Sequence, residues 1–185
     1  MGAVAVIVVD MLNPYDHEDA DTLEKSVEQI LEPLAGLMRR AHRHRDARLI
    51  VVNDNHGDFA NGKVNGVITG LRRARPEHVI IADDDVRYGG SEPARLDALL
   101  KRADLVRPQN RFDPMPWHAR WDSARTLLNC GFGADHPGTF GVRRSTFLAM
   151  GGYDGNVLFE NLELIRTVGA HGGREERPSI STSVS

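Results

Sequence analysis

The sequence contains a single cysteine, Cys130, among 185 residues. One thiol excludes an intrachain disulfide framework and a zinc site built from several cysteines, and it suits a reducing compartment. Long apolar runs are missing as well. The run near the start, Ala3 to Val9, is too short for a membrane span and lacks the basic flank and cleavage pattern of a signal peptide. No strong charge excess is present: 23 Lys and Arg against 26 Asp and Glu leave a net charge of -3 and a pI of about 6.2, which argues against nucleic acid as the main partner. What is present is 41% hydrophobic and 26% charged residues in 20.5 kDa, the make-up of one soluble domain. A chain of this length buries about 70% of the surface its unfolded form exposes, so it needs no disulfide staples. These bounds describe a cytoplasmic globular protein with no membrane span.

The opening AVAVIVVD is a continuous apolar, β-branched run that reads as a buried parallel strand ending at Asp10. A loop with Pro14 follows. Asp21 and Glu24 have capping-box spacing, and an apolar stripe from Leu23 to Ala41 predicts a helix that Pro33 kinks or breaks. Its basic end, Arg39 to Arg45, complements the helix dipole. Arg48 to Asn53 predicts a second strand, Val64 to Ala74 a short helix weakened by Gly66 and Gly70, and His78 to Ala82 a third strand. Ser91 and Pro93 open another helix, with serine as the cap. Asp104 to Arg107 and Gly138 to Val142 read as further strands, and Trp117 to Asn129, Arg144 to Met150 and Glu160 to His171 as helices. Gly172 and Gly173 close the last of these. The final REERPSISTSVS has no apolar period, so residues 174–185 are expected to form a disordered tail. Alternating strands and helices predict a three-layer, Rossmann-like α/β domain over 1–173, with a mostly parallel sheet covered on both faces. Such sheets bind ligands beyond the carboxyl ends of their strands, where the acidic loops after Val9, Asn53 and Ala82 would emerge.

The most informative loop is Asp83-Asp84-Asp85. Three like charges in succession must be solvated or paired. At the end of a buried strand, Asp83 and Asp85 can turn their carboxylates to the same space, and two hard oxygen ligands there suit Mg²⁺ or Mn²⁺ with a substrate diphosphate. A solvated acidic turn accounts for the spacing equally well.

Residues from about 61 to 173 resemble the inverting, family-2-type glycosyltransferases of GT-A fold. The resemblance is carried by Asn61-Gly-Lys-Val-Asn65, Val79-Ile-Ile-Ala-Asp-Asp-Asp-Val86, Gly141-Val-Arg-Arg-Ser145, Gly151-Gly-Tyr-Asp154 and Glu160-Asn-Leu-Glu-Leu164, in that order. It implies a GT-A-like fold, a nucleotide-sugar donor, a hydroxyl acceptor and a divalent cation, Mg or Mn. Asp83 and Asp85 would bind the metal and diphosphate, with Asp84 beside them, and Lys63 would lie near the nucleotide. The Gly151-Gly152 turn would lie near sugar and acceptor, and an acidic pair on the following helix would supply the base. The chemistry is consistent: cleavage of the sugar–diphosphate bond loads negative charge on the leaving group, which a cation stabilises, while a carboxylate on the opposite side takes the acceptor proton. Asn161 stands where the family usually has its catalytic aspartate and cannot accept a proton. Glu160 or Glu163 would serve instead, with Glu160 slightly favoured. Both also suit a helix N-terminus as plain dipole partners.

The front third differs. Ala5 to Pro14 and Leu49 to Asp58 resemble the isochorismatase-like cysteine hydrolases, which implies a role for Asp10 beside a lysine and a nucleophilic cysteine. Cys130 follows Leu127-Leu-Asn129 at a predicted helix end, where the residues do not match that family, so the nucleophile is missing. The chain therefore reads as a join near residues 58–62. In the transferase reading, position alone makes Tyr15 a candidate to stack on a base and Asp54 a candidate for uracil or ribose. The alternatives are a hydrolase remnant using Asp10 and an inactive recombined α/β chimera. His56, the pair Trp117 and Trp121 with His118, and the neighbours Arg143 and Arg144 each have a ligand-binding reading (phosphate or metal, acceptor sugar, phosphate) beside a plain surface or packing one.

Overall fold

The computed structural model describes residues 4–8, 32, 35–36, 39, 47–51, 59, 61–83, 86–87, 91–112, 139–178 and 181–184. The apolar runs form β1 (Val4–Val8), β2 (Ala47–Val51) and β3 (His78–Ala82). They are followed by the short β4 (Val86–Arg87) and β5 (Leu105–Val106), then β6 (Gln109–Phe112), β7 (Thr139–Arg143), β8 (Glu175–Glu176) and β9 (Ser181–Val184). The helices are α1 (Gly62–Arg73), α2 (Glu92–Leu100), α3 (Arg144–Ala149) and α4 (Glu160–Ala170).

The main sheet has six strands in the order β2-β1-β3-β7-β5-β8. β1 pairs in parallel with both β2 and β3, and Val8 stands level with Val51 on one side and Ala82 on the other. Three strands thus end at one edge. β7 is antiparallel to β3 and to β5, and β5 is parallel to β8. β2, β1, β3, β5 and β8 therefore point one way and β7 runs against them, so a sheet expected to be mostly parallel is mixed at β7. β4, β9 and β6 make a second, three-stranded sheet.

Alternation along β3 divides the core. Val79 and Ile81 join Ala5, Ile7, Phe140 and Val142 under α1, α3 and α4, whereas Ile80 joins Val106, Leu96 and Leu100 under α2. Helices cover both faces, the three-layer arrangement expected. Helix and strand approach closely at Gly70 and Gly141. A Cβ on Gly70 of α1 would lie 2.7 Å from Ile7 Cδ1, and one on Gly141 of β7 would lie 3.2 Å from Leu100 Cδ1.

Three expectations need correction here. Ser91 occupies the cap position of α2, but its side chain makes no capping hydrogen bond; Pro93 in the first turn carries the start instead. Arg143 and Arg144 are not freely solvated: their guanidinium groups are engaged by backbone carbonyls. Arg143 Nη2 donates to Leu100 O at 2.6 Å and Ala103 O at 3.2 Å, and Arg144 Nε donates to Leu71 O at 3.0 Å. Each arginine satisfies carbonyls at a helix C-terminus, where the dipole favours a cation. Finally, the segment expected to be a disordered tail carries β8 and β9. Charge pairing and backbone bonds hold it without an apolar period. Arg107 Nε donates to Glu175 Oε1 at 3.0 Å, Arg102 Nε donates to Glu176 Oε2 at 2.9 Å, and the Asp104 amide donates to Arg174 O at 2.8 Å.

Candidate active site

The stretch Asn61 to Asn65 builds one wall. Asn61 caps α1 by accepting from the Val64 amide at 3.3 Å. Val64 goes into the core. Asn65, buried despite its polarity, takes the Phe59 amide at 3.2 Å on Oδ1 and donates through Nδ2 to Phe59 O at 2.7 Å. These three side chains fix the start of the helix and direct Lys63 outward at its amino end.

The opposite wall arrives from the far edge of the sheet. After α3 the chain reverses through Gly151 and Gly152, whose φ values of 79° and 92° favour glycine. It then runs back along α1. Tyr153 packs edge-on against Phe147 with ring centroids 6.0 Å apart. Gly155 presses on Phe59, where a Cβ would meet side-chain carbons at 2.7 Å. This return path delivers the first turn of α4 to the amino end of α1.

There Lys63 meets two carboxylates. Its Nζ lies 2.7 Å from Asp83 Oδ1, just beyond the end of β3, and 3.2 Å from Glu160 Oε1, in the first turn of α4. The side chains are 14%, 26% and 18% exposed, respectively, so the cluster is sheltered yet open to solvent. Burial alone would lower the Lys63 pKa, but the charges and hydrogen bonds of Asp83 and Glu160 outweigh it and hold the ammonium above the ordinary lysine value.

Three residues singled out from the sequence are thus brought together: Lys63, Asp83 and Glu160. Glu163 stands apart from them in its bonding. Its Oε1 accepts from Thr167 Oγ1 at 3.4 Å, one turn further along the same helix. Asp10, Tyr15, Asp54, Asp84 and Asp85 lie outside the described residues, as do His56, Trp117, His118, Trp121 and Cys130. Among the described residues no group of three or more His, Cys, Asp or Glu side chains is placed to hold a metal ion. Asp83 supplies a hard carboxylate of the kind a divalent cation takes, here paired with the Lys63 ammonium. Sequence reasoning gave no role to Asn65. The signal was an asparagine on the apolar side of a helix, where only a bonded polar group is tolerated.

The sequence matches no protein-family model and no curated protein. Its fold, by contrast, is shared with solved glycosyltransferases. TarS 1–349 of S. aureus superposes with a TM-score of 0.57 at 11% identity over 100% of this chain and 60% of that one. The mannosyltransferase PcManGT of Pyrobaculum calidifontis, solved with GDP-Man and Mn²⁺, gives 0.54 at 16% identity over 98% of this chain and 56% of its own. Glucosyl-3-phosphoglycerate synthase of Mycobacterium tuberculosis, solved with Mn²⁺, UDP and glucosyl-3-phosphoglycerate, gives 0.53 at 14% identity, covering 99% and 71%. The fold is therefore GT-A-like, and the chain spans 60% of the length of TarS 1–349. The likeness includes the front third, whose β1 and β2 complete the same sheet as β3. It lends no support to an isochorismatase-like segment or to a chimera. Among the described residues, no helix is long and apolar enough to cross a membrane.

Proposed function

We propose that this chain is the donor-binding part of a nucleotide-sugar-dependent glycosyltransferase, moving a sugar to a hydroxyl acceptor with inversion. The observation that carries the reading is the convergence of Lys63, Asp83 and Glu160 at the carboxyl edge of a GT-A-like sheet. Asp83, with Asp85, would hold Mg or Mn, which when bound supplies positive charge to the departing diphosphate. Lys63 provides a second positive charge on the same side. Glu160 is the base that takes the acceptor proton; Glu163 is turned to Thr167, and Asn161 has no basic oxygen. Asp84, Asp54 and Tyr15 complete the nucleotide site, Tyr15 by stacking on the base. The cytoplasm remains the proposed compartment, on the strength of the single thiol.

Thermal melts with UDP, GDP and other nucleoside diphosphates, each with Mn²⁺ or EDTA, test this reading. Ligand at 100 times its dissociation constant stabilises by about 2.7 kcal/mol, on the order of 5–10 °C here. One nucleotide should raise the melting temperature with Mn²⁺ only, and Asp83→Ala should abolish the rise. A cooperative melt that no nucleotide shifts would sink the proposal.

A further inference from the structure

We infer that Lys63 is a built-in competitor of the catalytic cation: its ammonium fills the place on Asp83 that a divalent ion takes on binding, and the ion's arrival releases it. The inference rests on the transferase reading above. Lys63 lies in the first turn of α1, whose dipole disfavours a cation. It is held there by partners from other elements: Asp83 after β3 at 2.7 Å and Glu160 on α4 at 3.2 Å. An ion bonded to the Asp83 carboxylate would stand within a few ångströms of the ammonium, and two positive charges repel strongly in so sheltered a cluster. Sharing the one carboxylate is therefore costly, and the ion, with its higher charge, outcompetes the ammonium for it. The second partner gives the displaced ammonium a tether. Lys63 leaves Asp83 while still bonded to Glu160, and an incoming diphosphate, richer in negative charge than one carboxylate, then draws it off Glu160. Cation binding would thereby arm Lys63 for the donor, and donor binding would free the carboxylate that serves as base.

Two measurements on the full chain test the idea. Mn²⁺ binding without nucleotide is followed by the loss of the free-ion magnetic resonance signal, for wild type and K63M. Removing the competitor should tighten Mn²⁺ binding roughly tenfold, the size usual for coupled sites. In protein labelled with ¹⁵N-lysine, the Lys63 ammonium, assigned by its absence in K63M, should give a slowly exchanging signal that Mg²⁺ shifts or abolishes. Mn²⁺ binding to K63M but not to wild type would also support the competitor. A Lys63 signal unmoved while the ion binds would overturn it and leave the transferase reading intact. So would a Lys63 signal missing from the cation-free protein. No ion binding by either protein would overturn the competitor, while the nucleotide melts decide the transferase reading. If K63M does not melt cooperatively, Lys63 is assigned with K63R, and the wild-type titration decides.

Discussion

Within five residues, Asn61 to Asn65, the sequence supplies a cap, a charged side chain of the candidate site, a core side chain and a clamp. Asp83 stood out through its acidic run, whereas Lys63 and Glu160 were singled out through the family resemblance; the structure shows the three in one ion-pair cluster. The roles of Asn65, Arg143 and Arg144 were not legible, since their partners are carbonyls and amides that only the folded chain brings near. Asn65→Ala removes both bonds to Phe59 and leaves a sheltered amide and carbonyl without them. It is expected to cost about 1–3 kcal/mol in a denaturant melt; an unchanged midpoint would refute the clamp. With a donor in hand, Glu160→Gln should lower kcat by about 10²–10⁴ and Glu163→Gln should change it little; the reverse order would move the base to Glu163. Asp104 makes a pH prediction. Burial alone would raise its pKa, but the Thr146 hydroxyl, the Arg174 amide and the Arg143 cation outweigh it and hold the carboxyl below its usual range. Such a group stabilises the fold above its unfolded pKa of about 3.9, and the contribution is lost as pH falls through the folded value. The stability gap between wild type and Asp104→Asn should be constant near neutrality and close on acidification below about pH 4. A gap independent of pH would show that the charge of Asp104 contributes nothing.

Elements were readable where period or composition marks them. His78 to Ala82 is a strand in both the sequence reading and the structure, and α1 starts two residues before the predicted Val64. The direction of β7 was not readable, because a run such as TFGVR has the same pattern whichever way it lies in the sheet. Two-residue strands like β4 and β8 carry no period of their own. Gly70 shows how a correct local rule can mislead. In an exposed helix, replacing glycine by alanine gains about 1 kcal/mol. Here the added carbon would meet Ile7 Cδ1 at 2.7 Å and Cγ2 at 2.8 Å, so α1 would have to lift from β1. Overpacking of that kind costs roughly 1–3 kcal/mol, which outweighs the propensity gain. Gly70→Ala should therefore lower the unfolding midpoint; a raised midpoint would mean that the core yields at Ile7.

For the whole molecule, the sheet edge where β1, β2 and β3 end level explains why the Lys63, Asp83 and Glu160 cluster gathers where it does, and α4 reaches it because the chain turns back after α3. The opposite flank depends on the last dozen residues, which composition alone would discard. Arg107 is buried, with its side chain 1% exposed, and Glu175 lies 2.9 Å from its guanidinium. Arg177 bonds the same carboxylate from outside, at 2.7 Å. Burial by itself would raise the Glu175 pKa, yet these two arginines hold it below the ordinary glutamate range. Removing residues 174–185 would take away that carboxylate, the Glu176 partner of Arg102 and the Arg174 carbonyl that accepts from the Asp104 and Leu105 amides. Stripping the carboxylate from a buried ion pair alone costs about 3 kcal/mol or more. A shortened chain ending at Gly173 should accordingly melt on the order of 10 °C below the full chain. Glu175→Gln, which keeps the strand and removes only the charge, should fall between the two. If the shortened chain melts with the full one, β8 contributes nothing to stability and the boundary drawn at residue 173 is the true edge of the domain. If Glu175→Gln already loses as much as the truncation, the ion pair rather than the strand is what the tail provides.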